Sequence, residues 1–470
     1  MKMLLGGQWV DRDEKIDVTQ PFDGSLVDRV PMGTVADIEE ALRLAEIGYE
    51  INRNMPAHQR ISILNGAAHR MKERAEELAT TIASEGSKTI REARKEVGRA
   101  INTMTISAEE ARRISGETLP FDSAPGSENR VGYYYRFPIG VIAAITPFND
   151  PLNLVAHKLG PAIAGGNSVV LKPATVTPLS ALKLAECLLD AGLPGEILSV
   201  ITGNGSEIGP ALVKDERVRM VSFTGGVEAG KQIAALAGLK KIGMELGSNS
   251  PVIIMDDCKL PDAVESCVSG AFWAVGQNCI GVQRIYIQSG VYQQFRDAFV
   301  ERTKQYKTGY QLDEDTDMGP MINEAEAIRV MEWIEEARSL GATLLTGGTR
   351  EGTLVQPTVF EDMPREARLD SQEVFGPVVS LYRVENLDQA IELANGVNYG
   401  LHGAIFTQDL NRAFYAIKHM DVGGIMVNDS TDYRVDLMPF GGVKHSGLGR
   451  EGIRFALQEM TEPKVVCFNL

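Results

Sequence analysis

The stretch Gly140-Val141-Ile142-Ala143-Ala144-Ile145 begins a regular alternation of short apolar runs and helical segments, and this alternation predicts the fold. The run has no polar alternation, which is typical of a strand buried on both faces of a parallel sheet. A helix is expected from Leu152. Further strands are predicted at 168–171, 197–201 and 220–223, with helices over 180–190 and near 207–213. Strands separated by helices of this length predict a doubly wound parallel sheet.

A second α/β series follows from about residue 247 to residue 442. Its predicted strands lie at 251–254, 284–287, 404–406 and 424–427, and another short apolar strand is expected at 464–468. Upstream, residues 35–115 show helical spacing of apolar residues. Between these regions, the β-like run at 131–136 lies in a segment with Pro, Gly and Asn and could form a hairpin standing off the main body. The expected fold class is therefore α/β, with two α/β units and a small β hairpin.

Composition and charge narrow the class of protein. A chain of 470 residues with 44% hydrophobic and 23% charged residues is expected to form two or three globular domains. Its formal charge of −16 disfavours nucleic-acid binding. No apolar run approaches the roughly 20 residues that span a bilayer. Five cysteines without a Cys-x-x-Cys pair, a start too short for a signal peptide and no zinc-ligand spacing predict a metal-free cytoplasmic protein.

Three separated residues suggest covalent chemistry at a carbonyl group. Cys279 ends the polar segment Gly276-Gln277-Asn278-Cys279, Glu245 follows Met244, and Asn149 ends Thr146-Pro147-Phe148-Asn149. A thiol can attack, an amide can stabilise an oxyanion, and a carboxylate can activate water. Each residue also has an ordinary structural interpretation: an inert buried thiol, a surface charge for Glu245, or a helix cap for Asn149 before Pro151.

Two further segments are candidates for nucleotide binding. Residues 223–231 follow a predicted strand and open a helix with Gly225 and Gly226, which would let backbone N–H groups approach a pyrophosphate. The segment is not Gly-x-Gly-x-x-Gly, and Gly-Gly turns also open helices without a ligand. Lys172 lies just past another predicted strand, where α/β sheets bind ligands; the alternative is a solvated loop lysine.

These motifs occur in a fixed order together with Glu373-Val374-Phe375-Gly376-Pro377 and Pro439-Phe440-Gly441-Gly442. The chain thereby resembles the NAD(P)-dependent aldehyde dehydrogenase superfamily almost from end to end. The loop at 428–434 looks like the lactaldehyde and non-phosphorylating glyceraldehyde-3-phosphate dehydrogenase branch. The resemblance implies a Rossmann-like cofactor domain (1–118 and 138–246), a catalytic domain (247–446), and an oligomerisation hairpin with a C-terminal strand (119–137 and 455–470). It also implies a homodimer or homotetramer.

The resemblance assigns roles to single residues. Cys279 would attack the aldehyde carbon, Asn149 and the backbone N–H of Cys279 would hold the oxyanion, and Glu245 would activate water to hydrolyse the thioester. Family members that transfer the acyl group to coenzyme A generally lack a glutamate at this position, so a free carboxylic acid is the expected product. Cofactor contacts are implied for Thr146, Pro147, Phe148, Lys172, Thr175, Gly205, Phe223, Thr224, Gly225, Gly226, Leu246, Glu373 and Phe375. A solvated loop carboxylate is the alternative for Glu373.

Members that prefer NAD often carry Glu three residues after the lysine, where Thr175 stands in this chain. Without that carboxylate a 2′-phosphate is not repelled, and Lys172 could attract it. NADP is therefore expected to be accepted, with the choice between NADP and NAD left open.

The expected aldehyde is short and polar or anionic. Asp150, Asn153, Leu154 and His157 would lie near one face of the helix that lines the aldehyde tunnel, and three of these four are polar. Arg434 would join them; the alternatives are a satisfied core histidine for His157 and a salt bridge from Arg434 to Asp432 or Asp436. The remaining walls would be Met104, Trp273 and Phe440.

Buried polar groups need partners, which favours lactaldehyde, glyceraldehyde or its phosphate, or a semialdehyde. Asn278 stands where members specific for phosphorylated or phosphonate aldehydes often carry Arg, which argues against a dianion. Two other functions remain open from the sequence: transfer of the acyl group to coenzyme A, and a non-catalytic binding protein that keeps the fold.

Overall fold

The computed structural model describes residues 1–470 and contains two large sheets. The first has eight strands, of which the central five are parallel and the outer ones antiparallel. In spatial order they are Gln8–Val10, Met3–Leu5, Leu198–Val200, Ser168–Lys172, Val141–Ile145, Val218–Thr224, Lys241–Glu245 and Gly447–Leu448.

Helices cover both faces of this first sheet. Along the strand Val141–Ile145, Ile142 and Ala144 enter one apolar core and Val141 and Ala143 enter another. This division follows from the alternation of side chains along a strand, and it explains why the whole run is apolar. The helices of this part are Val35–Asn54, Ala57–Glu73, Ala75–Glu85, Ile90–Ala111, Asn153–Ala164, Leu179–Asp190, Gly205–Lys214, Val227–Ala237 and Ile453–Glu459.

The second sheet has seven strands, all parallel except one edge strand. In spatial order they are Thr343–Thr346, Thr358–Glu361, Val378–Val384, Val282–Gln288, Ser250–Ile254, His402–Phe406 and Gly424–Val427. Two cores again lie on opposite faces, with Val252 and Ile254 in one and Ile253 in the other. The helices are Leu260–Phe272, Tyr292–Thr303, Glu324–Ser339, Arg368–Ser371, Leu387–Asn395 and Leu410–His419.

Three smaller sheets complete the structure. One joins Thr461–Asn469, Arg130–Pro138 and Glu117–Leu119 in that order, and the others are two-stranded: Lys15–Thr19 with Leu26–Pro31, and Arg350–Glu351 with Leu354–Val355. Single 3₁₀ turns occur at Phe121–Ser123, Gly195–Ile197, Trp273–Gly276 and Lys444–Ser446. None of the helices combines the length and apolar character needed to cross a lipid bilayer.

The predicted α/β class is confirmed, but the strands differ in detail from the expectation. The strands Lys241–Glu245, Thr358–Glu361 and Val378–Val384 are among those that were not predicted. The strand expected over 197–201 is shorter, because Gly195–Ile197 forms a 3₁₀ turn directly before Leu198–Val200. The first residues of the chain contribute two antiparallel edge strands that the sequence pattern did not indicate. Strands of three residues are too short to show a periodicity.

Candidate active site

The candidate site lies at the carboxyl edge of the first sheet, where parallel α/β sheets bind ligands. Val141–Ile145 and Lys241–Glu245 flank Val218–Thr224 in parallel register, so the residues that end these strands lie side by side. A cavity of about 640 Å³ opens there and is lined by Asn149, Glu245 and Cys279 together. Residues far apart in the chain thus share one cavity, as the family resemblance implies.

The segment before Cys279 has an unusual backbone. Ala274, Val275 and Gly276 all have positive φ (49°, 63° and 66°) in the turn that ends helix Leu260–Phe272. For a β-branched residue such as Val275 this conformation is strained, and it persists only where the surroundings enforce it. Burial raises the pKa of the Cys279 thiol, while the charge of Arg434 opposes that rise. Burial therefore favours the neutral form of this thiol.

Glu245 ends its strand as a buried carboxyl group, 3% exposed, and its Oε2 has no hydrogen-bond partner. Burial raises its pKa well above the usual range, and the charge of Glu451 raises it further. Glu451 itself stays ionised: although burial opposes it, Lys158 holds the pKa of Glu451 at about 2, with Nζ 3.1 Å from Oε1. Of the two carboxyl groups, Glu245 is therefore the one whose raised pKa favours holding a proton.

Asn149 does not cap the helix that follows it. That helix starts at Asn153, its cap position is Leu152, and Pro151 lies outside it. A carboxylate from another helix satisfies the first N–H groups instead, because Glu96 Oε1 accepts hydrogen bonds from Leu152 and Asn153 at 2.9 and 3.0 Å. The amide of Asn149 is left at the cavity wall.

The residues expected to contact a cofactor fall into two groups. One lines the large cavity: Pro147, Phe148, Thr224, Gly225, Gly226, Leu246, Glu373 and Phe375. The other lies outside that lining: Thr146, Lys172, Thr175, Gly205 and Phe223. In the first group, the rings of Phe148 and Phe375 meet edge to face at 5.7 Å, and Glu373 accepts a hydrogen bond from the Ser248 N–H at 2.8 Å.

Several buried polar atoms at the sheet edge lack partners, which tests whether a nucleotide fits. The hydroxyl groups of Thr146 and Thr224 are buried without hydrogen bonds. The ammonium group of Lys172 is 3.2 Å from Thr175 Oγ1 and pairs with no carboxylate, so burial lowers its pKa to about 8. A buried cation without a counter-ion and unsatisfied hydroxyl groups fit a phosphate and ribose ligand.

The residues expected at the substrate end also divide. Asp150, Leu154, Trp273, Arg434 and Phe440 line the cavity, whereas Met104, Asn153 and His157 do not. Met104 is in the apolar core, and Asn153 and His157 are buried behind the wall, both hydrogen-bonded to Asp436 (3.2 and 2.9 Å). His157 is therefore a buried histidine that does not line this cavity, but its ring is only half satisfied, because Nδ1 has no hydrogen-bond partner. Burial lowers the pKa of His157.

Arg434 pairs with Glu451 and forms no salt bridge to Asp432 or Asp436. Its guanidinium lies over the Phe440 ring at 3.6 Å, and Nη2 is 3.4 Å from Glu451 Oε2. Its Nε is buried without a hydrogen-bond partner, on a side chain that is only 6% exposed. The cavity wall thus carries a cation with an unused donor.

Sequence reasoning missed Glu451, Glu92, Glu96 and Arg99. Arg99 lines the cavity and pairs with Asp436 at 3.0 Å. The signal for the helix residues was available: Glu92 and Glu96 occupy inward positions of an amphipathic helix, where charged groups are costly unless they bind something. Glu451 had no such signal, because it follows a loop rich in glycine. No group of three or more His, Cys, Asp or Glu side chains has a metal-binding arrangement.

Similarity to known proteins agrees with this geometry. The family model described as "Aldehyde dehydrogenase family" matches residues 9–466. The chain is 52% identical over 460 residues to aspartate-semialdehyde dehydrogenase 1 of Pseudomonas canavaninivorans, covering 97% of each chain. It is 41% identical to the crystal structure of aldehyde dehydrogenase 21 from Physcomitrella patens in complex with the reaction product succinate (TM-score 0.98, covering 100% and 98%). Glyceraldehyde-3-phosphate dehydrogenase GapN from Methanocaldococcus jannaschii, complexed with NADP, is 38% identical (TM-score 0.94, covering 98% and 100%).

Proposed function

The chain belongs to the aldehyde dehydrogenase family, and we propose that it oxidises a short aldehyde carrying an anionic group to the corresponding carboxylic acid. The observation that carries the choice of substrate is the buried guanidinium of Arg434, a residue that lines the cavity containing Cys279 and whose Nε has no hydrogen-bond partner. An unsatisfied buried donor favours a ligand with an acceptor at that point.

The first step is addition of Cys279 to the aldehyde. The sulfur forms a bond to the carbonyl carbon, the thiol proton passes to a water molecule in the cavity, and the carbonyl oxygen becomes an oxyanion. The Asn149 amide and the backbone N–H of Cys279 donate hydrogen bonds to that oxyanion, which stabilises the adduct. A nicotinamide dinucleotide, when bound, would accept the hydride that the adduct must lose to become a thioester on Cys279.

Hydrolysis of the thioester is the second step. Glu245 takes a proton from a water molecule, the oxygen attacks the thioester carbon, and the sulfur of Cys279 leaves as the acid forms. The raised pKa of Glu245, caused by burial and by Glu451, suits a group that must hold and then release a proton. A carboxylate at this place favours water over coenzyme A as the acyl acceptor.

Residues at the sheet edge would hold the dinucleotide. Lys172 would face the ribose or its 2′-phosphate, Thr146 and Thr224 offer unused hydroxyl groups, and Glu373 would accept hydrogen bonds from the nicotinamide ribose. The absence of a carboxylate at Thr175 supports acceptance of NADP. A relative of this fold is complexed with NADP, which supports the same proposal.

The relatives support an anionic substrate, since one is named for aspartate semialdehyde and another contains succinate. The acidic side chains of Asp429 and Asp432 also line the cavity and form no salt bridge. They would suit the ammonium group of an amino-acid semialdehyde. The test panel should therefore include aspartate semialdehyde, succinic semialdehyde, lactaldehyde and glyceraldehyde 3-phosphate, each with NADP and with NAD.

The decisive measurement compares succinic semialdehyde with butanal, a neutral aldehyde of the same chain length. Arg434→Gln should raise KM for succinic semialdehyde by at least about tenfold, the loss of roughly one charge-assisted hydrogen bond, and should change KM for butanal much less. Arg434→Lys, which keeps the charge, should recover part of the affinity. Equal effects of Arg434→Gln on both aldehydes would exclude an anion anchor, and acyl-coenzyme A as the product would exclude hydrolysis.

A further inference from the structure

One helix, Ile90–Ala111, contacts both segments that carry the proposed reaction chemistry. Its buried residues Glu92 and Glu96 are four positions apart and therefore lie on the same face, about one turn from each other. Glu92 Oε1 accepts a hydrogen bond from the Ala274 N–H at 2.9 Å. Glu96 Oε1 accepts the N–H groups of Leu152 and Asn153. Neither carboxylate lines the cavity.

On the nucleophile side, Glu92 supports the strained turn. Ala274 is the first of the three positive-φ residues that lead to Cys279. Its N–H is buried and would be orphaned without the carboxylate of Glu92, whose other oxygen accepts the Thr89 N–H at 2.8 Å. A left-handed backbone at a non-glycine residue is retained only where such contacts enforce it.

On the oxyanion side, Glu96 belongs to a buried ionic network. Its Oε2 accepts a hydrogen bond from Lys88 Nζ at 2.7 Å, and Lys88 also pairs with Asp150, the residue directly after Asn149. Glu96 therefore reaches the Asn149 segment twice: through Lys88 and Asp150, and through the N–H groups of Leu152 and Asn153. A buried network of this kind is rigid because each member would be costly to leave unpaired.

We propose that Glu92 and Glu96 are positioning residues, which hold the segments of Cys279 and Asn149 in register with each other from a single helix. The inference rests on the proposed function only in giving roles to Cys279 and Asn149. Because the thiol and the amide come from separate segments of the chain that line one cavity, their separation depends on a shared support. Displacing either segment by about 1 Å can lower turnover by about 100-fold.

The test uses Glu92→Gln and Glu96→Gln in the full-length protein, with Glu85→Gln as a matched control. Glu85 is also fully buried, and its oxygens accept the N–H groups of Leu179 and Ser180 at 2.7 and 2.8 Å. It thereby caps the start of helix Leu179–Asp190, which does not line the cavity. All three substitutions thus remove a buried carboxylate from backbone donors. Thermal unfolding reports the structural cost that they share.

Two assays distinguish a loss of positioning from a loss of stability alone. Alkylation of Cys279 by iodoacetamide, followed by mass spectrometry of its peptide, needs the thiol but no oxyanion donor. Hydrolysis of p-nitrophenyl acetate needs both the thiol and the oxyanion donor, and requires neither an aldehyde nor a dinucleotide. A failure of the proposed oxidation would therefore appear only in the aldehyde assay and would leave these measurements interpretable.

Glu92→Gln should slow both alkylation and ester hydrolysis by about tenfold or more, because the nucleophile segment itself shifts. Glu96→Gln should slow ester hydrolysis and aldehyde oxidation by about tenfold or more and leave alkylation within about twofold of wild type. Glu85→Gln should lower the unfolding temperature without either loss. The proposal is overturned if the three variants lose activity only in proportion to folded protein, or if Glu96→Gln slows alkylation as strongly as hydrolysis.

Discussion

The buried ammonium group of Lys172 makes the choice of cofactor testable at a single neighbouring residue. Thr175 Oγ1 accepts a hydrogen bond from Lys172 and donates one to the Gly203 carbonyl. In Thr175→Glu a carboxylate would pair with Lys172 and repel a 2′-phosphate. We expect kcat/KM with NADP to fall at least about tenfold relative to NAD, equivalent to about 1.4 kcal/mol. Initial rates with both cofactors measure this ratio. Thr175→Val removes the hydroxyl without adding charge, and an equal change in that variant would contradict the electrostatic explanation.

Cofactor affinity should depend on pH because the carboxyl group of Glu373 and the ammonium group of Lys172 both change charge near neutral pH. Burial raises the pKa of Glu373 to about 7, opposed by the hydrogen bond from Ser248, so this carboxyl group gains charge only above pH 7. Burial lowers the pKa of Lys172 to about 8, so the ammonium group loses charge above pH 8. Because the ribose needs the carboxylate and the phosphate needs the ammonium group, NADPH should bind most tightly between about pH 7 and 8.

Fluorescence titration of NADPH gives its Kd across this range without involving turnover, so protonation of Glu245 in catalysis does not interfere. Glu373→Gln should bind more weakly at pH 8 and should lose the weakening that wild type shows below pH 7. If the Kd of this variant for NADPH still rises below pH 7 as in wild type, a group other than Glu373 causes the weakening.

Among the site residues, those within ordered motifs could be predicted from the sequence and those contributed by tertiary packing could not. Asn149, Glu245 and Cys279 line one cavity, as expected. His157 was expected at the tunnel because helical spacing places it on the right face, but spacing does not determine depth, and Asp436 holds it behind the wall. The pairing of Arg434 with Glu451 depends on a loop that brings residues 17 positions apart together.

At the scale of elements, the turn before Cys279 depends on Gly276. Its φ is +66°, and a Cβ there would lie 2.3 Å from the Gly376 carbonyl oxygen. A left-handed backbone costs an alanine about 1–2 kcal/mol, and the clash adds to this cost. Gly276→Ala should therefore destabilise the protein by at least this amount. Turnover should fall at least about tenfold, since the nucleophile segment and the segment of Glu373 move together. Thermal unfolding, kcat and alkylation of Cys279 test this expectation.

Gly98→Ala is the matched control. Gly98 is exposed within helix Ile90–Ala111, and a Cβ there meets nothing within 4 Å. Alanine should stabilise this helix by about 0.5–1 kcal/mol and leave kcat unchanged. Wild-type activity in Gly276→Ala would show that the turn tolerates displacement and would contradict its proposed importance.

The elements that could be predicted are those whose burial is uniform. The parallel strands that were predicted appear as continuous apolar runs because both faces are covered, and their expected positions agree with the structure to within one or two residues, as at Val218–Thr224. The hairpin of Lys15–Thr19 and Leu26–Pro31 was not expected, since its strands are only partly buried and their buried and exposed residues do not alternate clearly. The apolar residues that lead to the turn at Trp273–Gly276 indicate only a helix. The turn itself could not be predicted, because Glu92 of another helix imposes its shape.

At the scale of the whole molecule, the chain returns to its first unit after completing the second. Gly447–Leu448 pairs with Lys241–Glu245 at the edge of the first sheet, and Leu457 of helix Ile453–Glu459 packs into that unit's core. We therefore propose that residues 447–460 belong with the cofactor-binding unit. This assignment differs from the sequence expectation that residues 455–470 all belong to the oligomerisation element. Only the last strand, Thr461–Asn469, pairs with the hairpin.

That three-stranded sheet carries an uncovered aromatic face. Val131, Tyr133 and Tyr135 alternate along Arg130–Pro138 and are 51%, 38% and 42% exposed. Phe468 pairs with Val131 in the register of the last strand, and its ring lies 6.3 Å from that of Tyr133. A sheet face of this kind is normally buried against another element, and the chain itself provides none. We propose that a second copy of the chain covers this face.

The double variant Tyr133→Glu/Phe468→Glu places two charges on the proposed interface and should convert the oligomer to a smaller species, because buried unpaired carboxylates are costly. Size-exclusion chromatography with light scattering gives the mass directly. Val465→Glu is the control, since Val465 is 59% exposed on the same strand but pairs with Tyr134 and therefore faces the other side of the sheet. It should leave the mass unchanged. If the mass falls only in the double variant, the contact lies on the aromatic face. A monomeric wild type, or dissociation by Val465→Glu alone, would exclude the aromatic face as the interface.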